Sequence, residues 1–223
     1  TDPKGRMALH MACAVRPGGK GLGEANGIKT VALAQADILD LPNAGRTFDM
    51  IFCAGVLHHM ADPFAGWRAL NACLRPGGLQ MIALYSEIGR RELRQLRTQP
   101  DFPGVGCTSS QARAWRQQLM KRATDEPGGS LTRSQDFYSL AEFRDLALHP
   151  SEHHTTIPQI EAFLSDNGLI FRGFVVNMDV LSAYATAYPQ ETWPGTLASW
   201  HEFELTNPTT FDGMYHFWCE KAA

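Results

Sequence analysis

The run Phe48-Asp-Met-Ile-Phe-Cys-Ala-Gly-Val-Leu-His-His-Met-Ala-Asp-Pro63, with Leu74-Arg-Pro-Gly-Gly78 and the apolar Leu79-Gln-Met-Ile-Ala-Leu-Tyr85 behind it, constrains the fold most tightly. A short apolar run that ends in Ala54-Gly55 reads as a buried strand. Trp67, Leu70 and Leu74 follow at helical spacing, and Pro-Gly-Gly turns the chain into a second buried strand. Strand, helix and strand in that order are a βαβ unit of a parallel sheet, whose crossover is right-handed in nearly all proteins.

The chain has 223 residues and is 44% hydrophobic, enough for one sizeable core and short of what two full domains need. It carries no apolar stretch of membrane-spanning length and no cleavable signal pattern, so the expected setting is cytoplasmic, without a membrane. Five cysteines are scattered without a C-x-x-C pair, which supports neither a disulfide framework nor a zinc ribbon. Charge is unevenly spread. Residues 86–122 hold Arg90, Arg91, Arg94, Arg97, Arg113, Arg116, Lys121 and Arg122 against Glu87, Glu92 and Asp101. Such a segment offers a surface for an anion or a nucleic acid, but with Trp115 as its main aromatic it reads first as a solvated helix face, and a nucleic-acid partner is not expected.

Arg6 to Val15 reads as a short helix, and residues 16–23 as a glycine-rich surface loop; a strand begins within about ten residues of it and no lysine-serine pair follows, so it is not read as a phosphate cradle. Thr30 to Ala36 is a strand that ends at Asp37, followed by a turn over 40–45. Helices are predicted at 87–97, 109–122 and 139–148, separated by Pro/Gly-rich joints, in a segment too long for a plain connection and therefore a functional insertion. A helix over 157–164, a strand over 169–176, helices over 180–188 and 197–205, and a last strand over 214–219 complete the chain. The organisation is one domain: an ill-defined stretch 1–29, core strands 30–86, a helical insertion 87–155, and C-terminal helices and strands 156–223.

The order of these pieces resembles the class I S-adenosylmethionine-dependent methyltransferases. Gln35-Ala-Asp-Ile-Leu-Asp-Leu-Pro42 through Ser86 matches their third to fifth strands. The later words Asp136-Phe-Tyr-Ser, Phe143-Arg-Asp-Leu, Ile157-Pro-Gln-Ile and Phe211-Asp-Gly-Met-Tyr-His-Phe-Trp resemble the methyltransferase domain that follows tetratricopeptide repeats in many bacterial proteins. The resemblance implies a Rossmann-like α/β sheet, mostly parallel with a reversed edge strand, the final strand lying beside the fifth. Ligands of such open sheets bind over the carboxyl ends of the strands. It also implies S-adenosylmethionine as cofactor and an upstream repeat domain as partner. The family's first strand and its glycine-rich turn have no counterpart here, so the chain reads as N-terminally truncated.

By the same resemblance, the cofactor-binding candidates are Asp2 for the ribose, Asp37 and the Ile38 N–H for the adenine, and the backbone of Cys53, Ala54 and Gly55. Asp37 reads equally as an ordinary strand-ending or turn-capping aspartate. His58 and His59 follow at once and are the catalytic candidates, since an imidazole there can take a proton from a methyl acceptor; packing at the sheet edge is the plain alternative. Tyr85, Arg90 and Tyr138 are pocket candidates. The His149-Pro-Ser-Glu-His-His154 run lacks the spacing that sets two histidines on one helix face, so it reads as a polar loop rather than a metal centre. The expected reaction is methyl transfer to an acceptor the sequence does not name, small molecule or protein. A catalytically inactive interaction module and a nucleic-acid methyltransferase are the alternatives.

Overall fold

The structure is a computed structural model and describes residues 9–14 and 31–223, with side chains from residue 36 onward. Strand β1 (Leu9–Ala14) pairs antiparallel with β2 (Val31–Ala36) in a two-stranded ladder. Residues 9–14 are therefore extended, where the sequence suggested a helix: pairing with β2 supplies the backbone partners that so short a helix would leave unmade at its ends. The rest of 1–29, including Asp2 and the glycine-rich loop, lies outside the described residues.

The main sheet is built from β3 (Phe48–Cys53), β4 (Leu74–Ser86), β6 (Leu169–Phe174) and β7 (Met214–Lys221) in the order β3-β4-β7-β6, with β5 (His154–Thr155) added on β4. Strand β3 runs parallel to β4, as does β5, while β7 is antiparallel to both β4 and β6. The reversed strand is thus interior, not an edge strand. Its alternating burial, with Tyr215, Phe217 and Cys219 fully buried, suits a strand paired on both sides, whereas β6 forms the edge. Leu74-Arg-Pro-Gly-Gly78 opens β4 rather than preceding it, through a register shift that pairs Phe48 with Leu74 and Met50 with Leu79. Among the described residues the other flank of β3 has no strand partner, and Met50 and Phe52 are 54% and 61% exposed on that strand.

Helix α1 (Pro63–Ala72) is set by Asp62, whose carboxylate accepts from the amides of Phe64 and Ala65, and by Pro63 in the first turn. It packs Trp67 and Leu70 onto Ile51, Ile82 and Phe217, joined by Ile160 and Phe163 of α5 (Ile157–Asp166). Helices α2 (Arg91–Arg97), α3 (Ser109–Leu119) and α4 (Leu140–Leu148) form the insertion, which has its own core of Leu96, Trp115, Leu119, Phe137 and Phe143. Helices α6 (Met178–Ala187) and α7 (Leu197–Thr206) close the sheet core through Tyr184 and Trp200, stacked at 3.7 Å. No helix among the described residues is long and apolar enough to cross a membrane.

Candidate functional site

The carboxyl ends of β2, β3 and β4 carry the residues the sequence singled out. Asp37, half-buried, ends β2 and caps the 3-10 turn Ile38–Ala44: its Oδ1 accepts from the Leu39 amide at 3.0 Å. The second oxygen has no protein partner among the described residues, and Ile38 is buried in the sheet core. At the end of β3, Cys53 turns its thiol into the core, where burial pushes its pKa up to about 12, so only its backbone faces outward chemistry. Ala54 and Gly55 are exposed, and Gly55 adopts φ +72° with nothing within 4 Å of where a side chain would begin. A left-handed backbone at an open strand end suits glycine and leaves room for a ligand against the main chain.

Behind these ends lies a buried polar cluster. His58 is fully buried beneath Tyr85, ring centroids 3.8 Å apart, and neither nitrogen has a hydrogen-bond partner among the described residues. Burial, with His59 and Arg90 adding to it, pushes its pKa down to about 3, so it is neutral at any ordinary pH. His59 is held differently: its Nδ1 lies 2.7 Å from the Ser151 carbonyl oxygen, and burial lowers its pKa too. On the other face of Tyr85, the Arg90 guanidinium carbon sits 3.9 Å from the ring centroid. Burial raises the Tyr85 hydroxyl to about 12, despite Arg90 pulling it down, so the phenol stays protonated.

Arg90 also donates to Glu152 and to the Leu146 carbonyl, and Arg97 sits 2.8 Å from the second Glu152 oxygen. Burial opposes ionisation of Glu152, yet the positive charge around it prevails and holds its pKa below the usual value. His154 contributes at 3.8 Å, beyond hydrogen-bond reach. A second buried carboxylate, Glu204, receives Ser86 Oγ at 2.5 Å and the Tyr215 hydroxyl at 2.8 Å. Burial raises its pKa in spite of those bonds. Ser86 in turn accepts from Gly89 N, and a side chain at Gly89 would meet Gly213 Cα at 2.7 Å, so this turn is built on close backbone approach.

These two networks frame a pocket of about 510 Å³ between the end of β4, the start of β7 and the insertion, walled by Tyr85, Arg90, Leu93, Leu131, Asp145 and Met214. Tyr85 and Arg90 are therefore where the sequence suggested. Tyr138 is not: it is 62% exposed and its hydroxyl donates to the Thr132 carbonyl. Glu152 was read only as part of the polar run 149–154 and Glu204 not at all, because their partners Arg90 and Ser86 lie 62 and 118 residues away. The basic segment is largely engaged within the insertion. Arg94 pairs with Glu87, Arg122 with Asp101, and Arg116 donates to the Phe137 and Tyr138 carbonyls.

Parallel strands crossed by α1, with one antiparallel strand inserted before the sheet edge, define an α/β fold with a mixed sheet. PKMT2 from Rickettsia typhi superposes with a TM-score of 0.64 at 17% identity, over 88% of this chain and 40% of that one. The same protein in complex with AdoHcy gives 0.62 at 16%, over the same shares. Residues 23–80 match the family described as a methyltransferase domain. The chain is 31% identical over 164 residues to an uncharacterized protein of Synechococcus sp., covering 68% of this chain and 37% of that protein. It is also 31% identical over 136 residues to the tRNA U34 carboxymethyltransferase of Campylobacter jejuni subsp. doylei, 55% of this chain and 45% of that one. The chain thus spans less than half the length of these relatives.

S-adenosylmethionine is the cofactor to which the domain family and the AdoHcy-bound neighbour point. Two places on the strand ends leave room for a ligand: the Asp37 oxygen without a partner among the described residues, and the open main chain at Ala54 and Gly55.

Proposed function

We propose that this chain serves S-adenosylmethionine-dependent methyl transfer, with cofactor along Asp37, Ile38 and the Cys53–Gly55 backbone and the acceptor in the pocket walled by Tyr85 and Asp145. The observation that carries this reading is the unfilled space over Gly55 at the end of a parallel strand, where open α/β sheets bind ligands. When bound, the cofactor supplies an electrophilic methyl group to the acceptor's nucleophilic O, N or C. The chain's own part is to orient the acceptor and exclude water. Tyr85 and Arg90, pinned by the Glu152 pair, give the pocket a rigid wall.

A specific observation favours a second reading, an interaction module without catalysis. Met50 and Phe52 present apolar surface on a strand whose outer flank is unpaired among the described residues.

Calorimetric titration with S-adenosylhomocysteine separates the two. Binding in the micromolar range is expected, weakened about tenfold or more in Asp37→Ala, a loss of about 1.4 kcal/mol. Asp37→Asn keeps the turn cap and loses only the charge, so it distinguishes lost recognition from the roughly 1 kcal/mol stability cost of an uncapped turn. No heat from the well-folded chain would sink the first reading and leave the second.

A further inference from the structure

The sequence run around His149 was weighed for metal binding against His153 and His154, but the fold brings it different partners. Asp145 and His149 are four residues apart at the carboxyl end of α4, a spacing that puts two side chains on one face. His59 meets them from the loop after β3, and one ligand atom of each lies within 4.8 Å of the others. The two imidazoles stack at 3.7 Å and share one acceptor: His59 Nδ1 is 2.7 Å and His149 Nδ1 2.6 Å from the Ser151 carbonyl oxygen. His149 Nδ1 also lies 3.1 Å from the Ser151 amide, a donor that takes a lone pair there, whereas the contact to oxygen takes a proton. In the tautomer that serves the carbonyl, both Nδ1 atoms are N–H donors and each Nε2 keeps its lone pair. That outer-shell bond to a carbonyl is how metal-bound histidines are oriented. Asp145 is exposed, has no hydrogen bond or ion pair among the described residues, and lines the pocket.

We propose that His59, Asp145 and His149 bind one divalent transition ion of the zinc class, its open positions on the pocket side that Asp145 lines. Two neutral imidazoles and one carboxylate are a donor set for such ions and leave room for water or a ligand atom. Ligand bonds of about 2.0–2.2 Å draw the three atoms closer than they stand here: the exposed Asp145 moves by side-chain rotation, and the stacked His59 and His149 rings swing apart so that both lone pairs meet the ion. The neighbouring Glu152 does not compete, because it already holds Arg90 and Arg97. Because the ligands come from the loop after β3 and from α4, the ion clamps the insertion onto the sheet.

The test is calorimetric titration of the EDTA-treated protein with zinc chloride, with a thermal melt at each endpoint. One ion per chain is expected, with a rise in Tm on binding. Asp145→Asn and His149→Gln should each weaken binding by at least about tenfold and abolish the Tm rise, while melting like the parent without zinc. Asp145→Asn keeps the test informative, since an exposed aspartate does not threaten folding. Absence of binding, binding indifferent to both substitutions, or binding lost in His153→Gln or His154→Gln instead would overturn the proposal.

Discussion

Glu152→Ala is expected to destabilise the protein by about 3–5 kcal/mol, the cost of removing one member of a buried ion pair. The Glu152 side chain is 1% exposed, and its partners Arg90 and Arg97 are 8% and 21% exposed. Without the carboxylate, the Arg90 guanidinium stays enclosed against Tyr85 with the Leu146 carbonyl as its remaining acceptor, and its Nε already lacks a partner among the described residues. Converting Arg90 and Glu152 together to apolar residues should recover much of that loss, because the enclosed Arg90 charge goes with its partner and Arg97, left behind, is 21% exposed to solvent.

The pH dependence has a definite sign. The folded-state pKa of Glu152 lies below its ordinary value of 4.5, so the unfolded chain binds the proton more tightly. The stability it contributes is present above about pH 4.5 and is lost as pH falls through the folded pKa. Glu204 runs the other way: its folded pKa is raised, so its contribution is full at low pH and is lost as pH rises from 4.5 through that raised value. Urea denaturation at a series of pH values should therefore show the difference between wild type and Glu152→Gln shrinking on the acid side. The difference between wild type and Glu204→Gln should change on the alkaline side of 4.5.

Periodicity carried the sheet core well because its signals are local. The β3-α1-β4 unit, α5, β6, α7 and β7 stand within a few residues of where apolar runs and turn residues put them. Several aromatic words that suggested the resemblance prove to be packing: Phe137 and Phe143 centre the insertion core, and Phe211, Tyr215 and Phe217 the sheet core. What failed was non-local. The interior position of β7 depends on pairing with β4 and β6, strands distant in sequence, and β5 is two residues long and defined only by its contact with β4. Asp37 shows how one residue holds two readings at once, since one oxygen caps a turn while the other has no partner among the described residues. Asp145 was invisible as a ligand because its partner His59 lies across the fold from the histidine-rich run in which metal spacing was sought.

Trp67→Ala is the second large effect expected, a loss of about 3–5 kcal/mol from lost burial and the cavity together. The indole is fully buried, stacked on Phe163 at 3.9 Å and edge-on to Phe217 at 5.6 Å, so it fills the junction of α1, α5 and the sheet. Its N–H donates to Gln80 Oε1 at 2.8 Å, and Gln80 is itself wholly buried with its amide nitrogen unpartnered among the described residues. Truncation leaves that acceptor with only the long Cys219 Sγ contact at 4.0 Å, which adds about 1 kcal/mol or more. Trp67→Phe separates the two contributions, because it keeps most of the stacked ring and removes the donor. Chemical denaturation should then place the phenylalanine variant between wild type and alanine, and Gln80→Leu beside Trp67→Phe should restore part of the deficit by removing the stranded polar group. A phenylalanine variant as stable as wild type would mean the Gln80 bond contributes nothing. Helix α1 follows directly on the loop that carries Gly55, His58 and His59, so an indole that holds this helix on the sheet also holds the main chain against which the cofactor would lie.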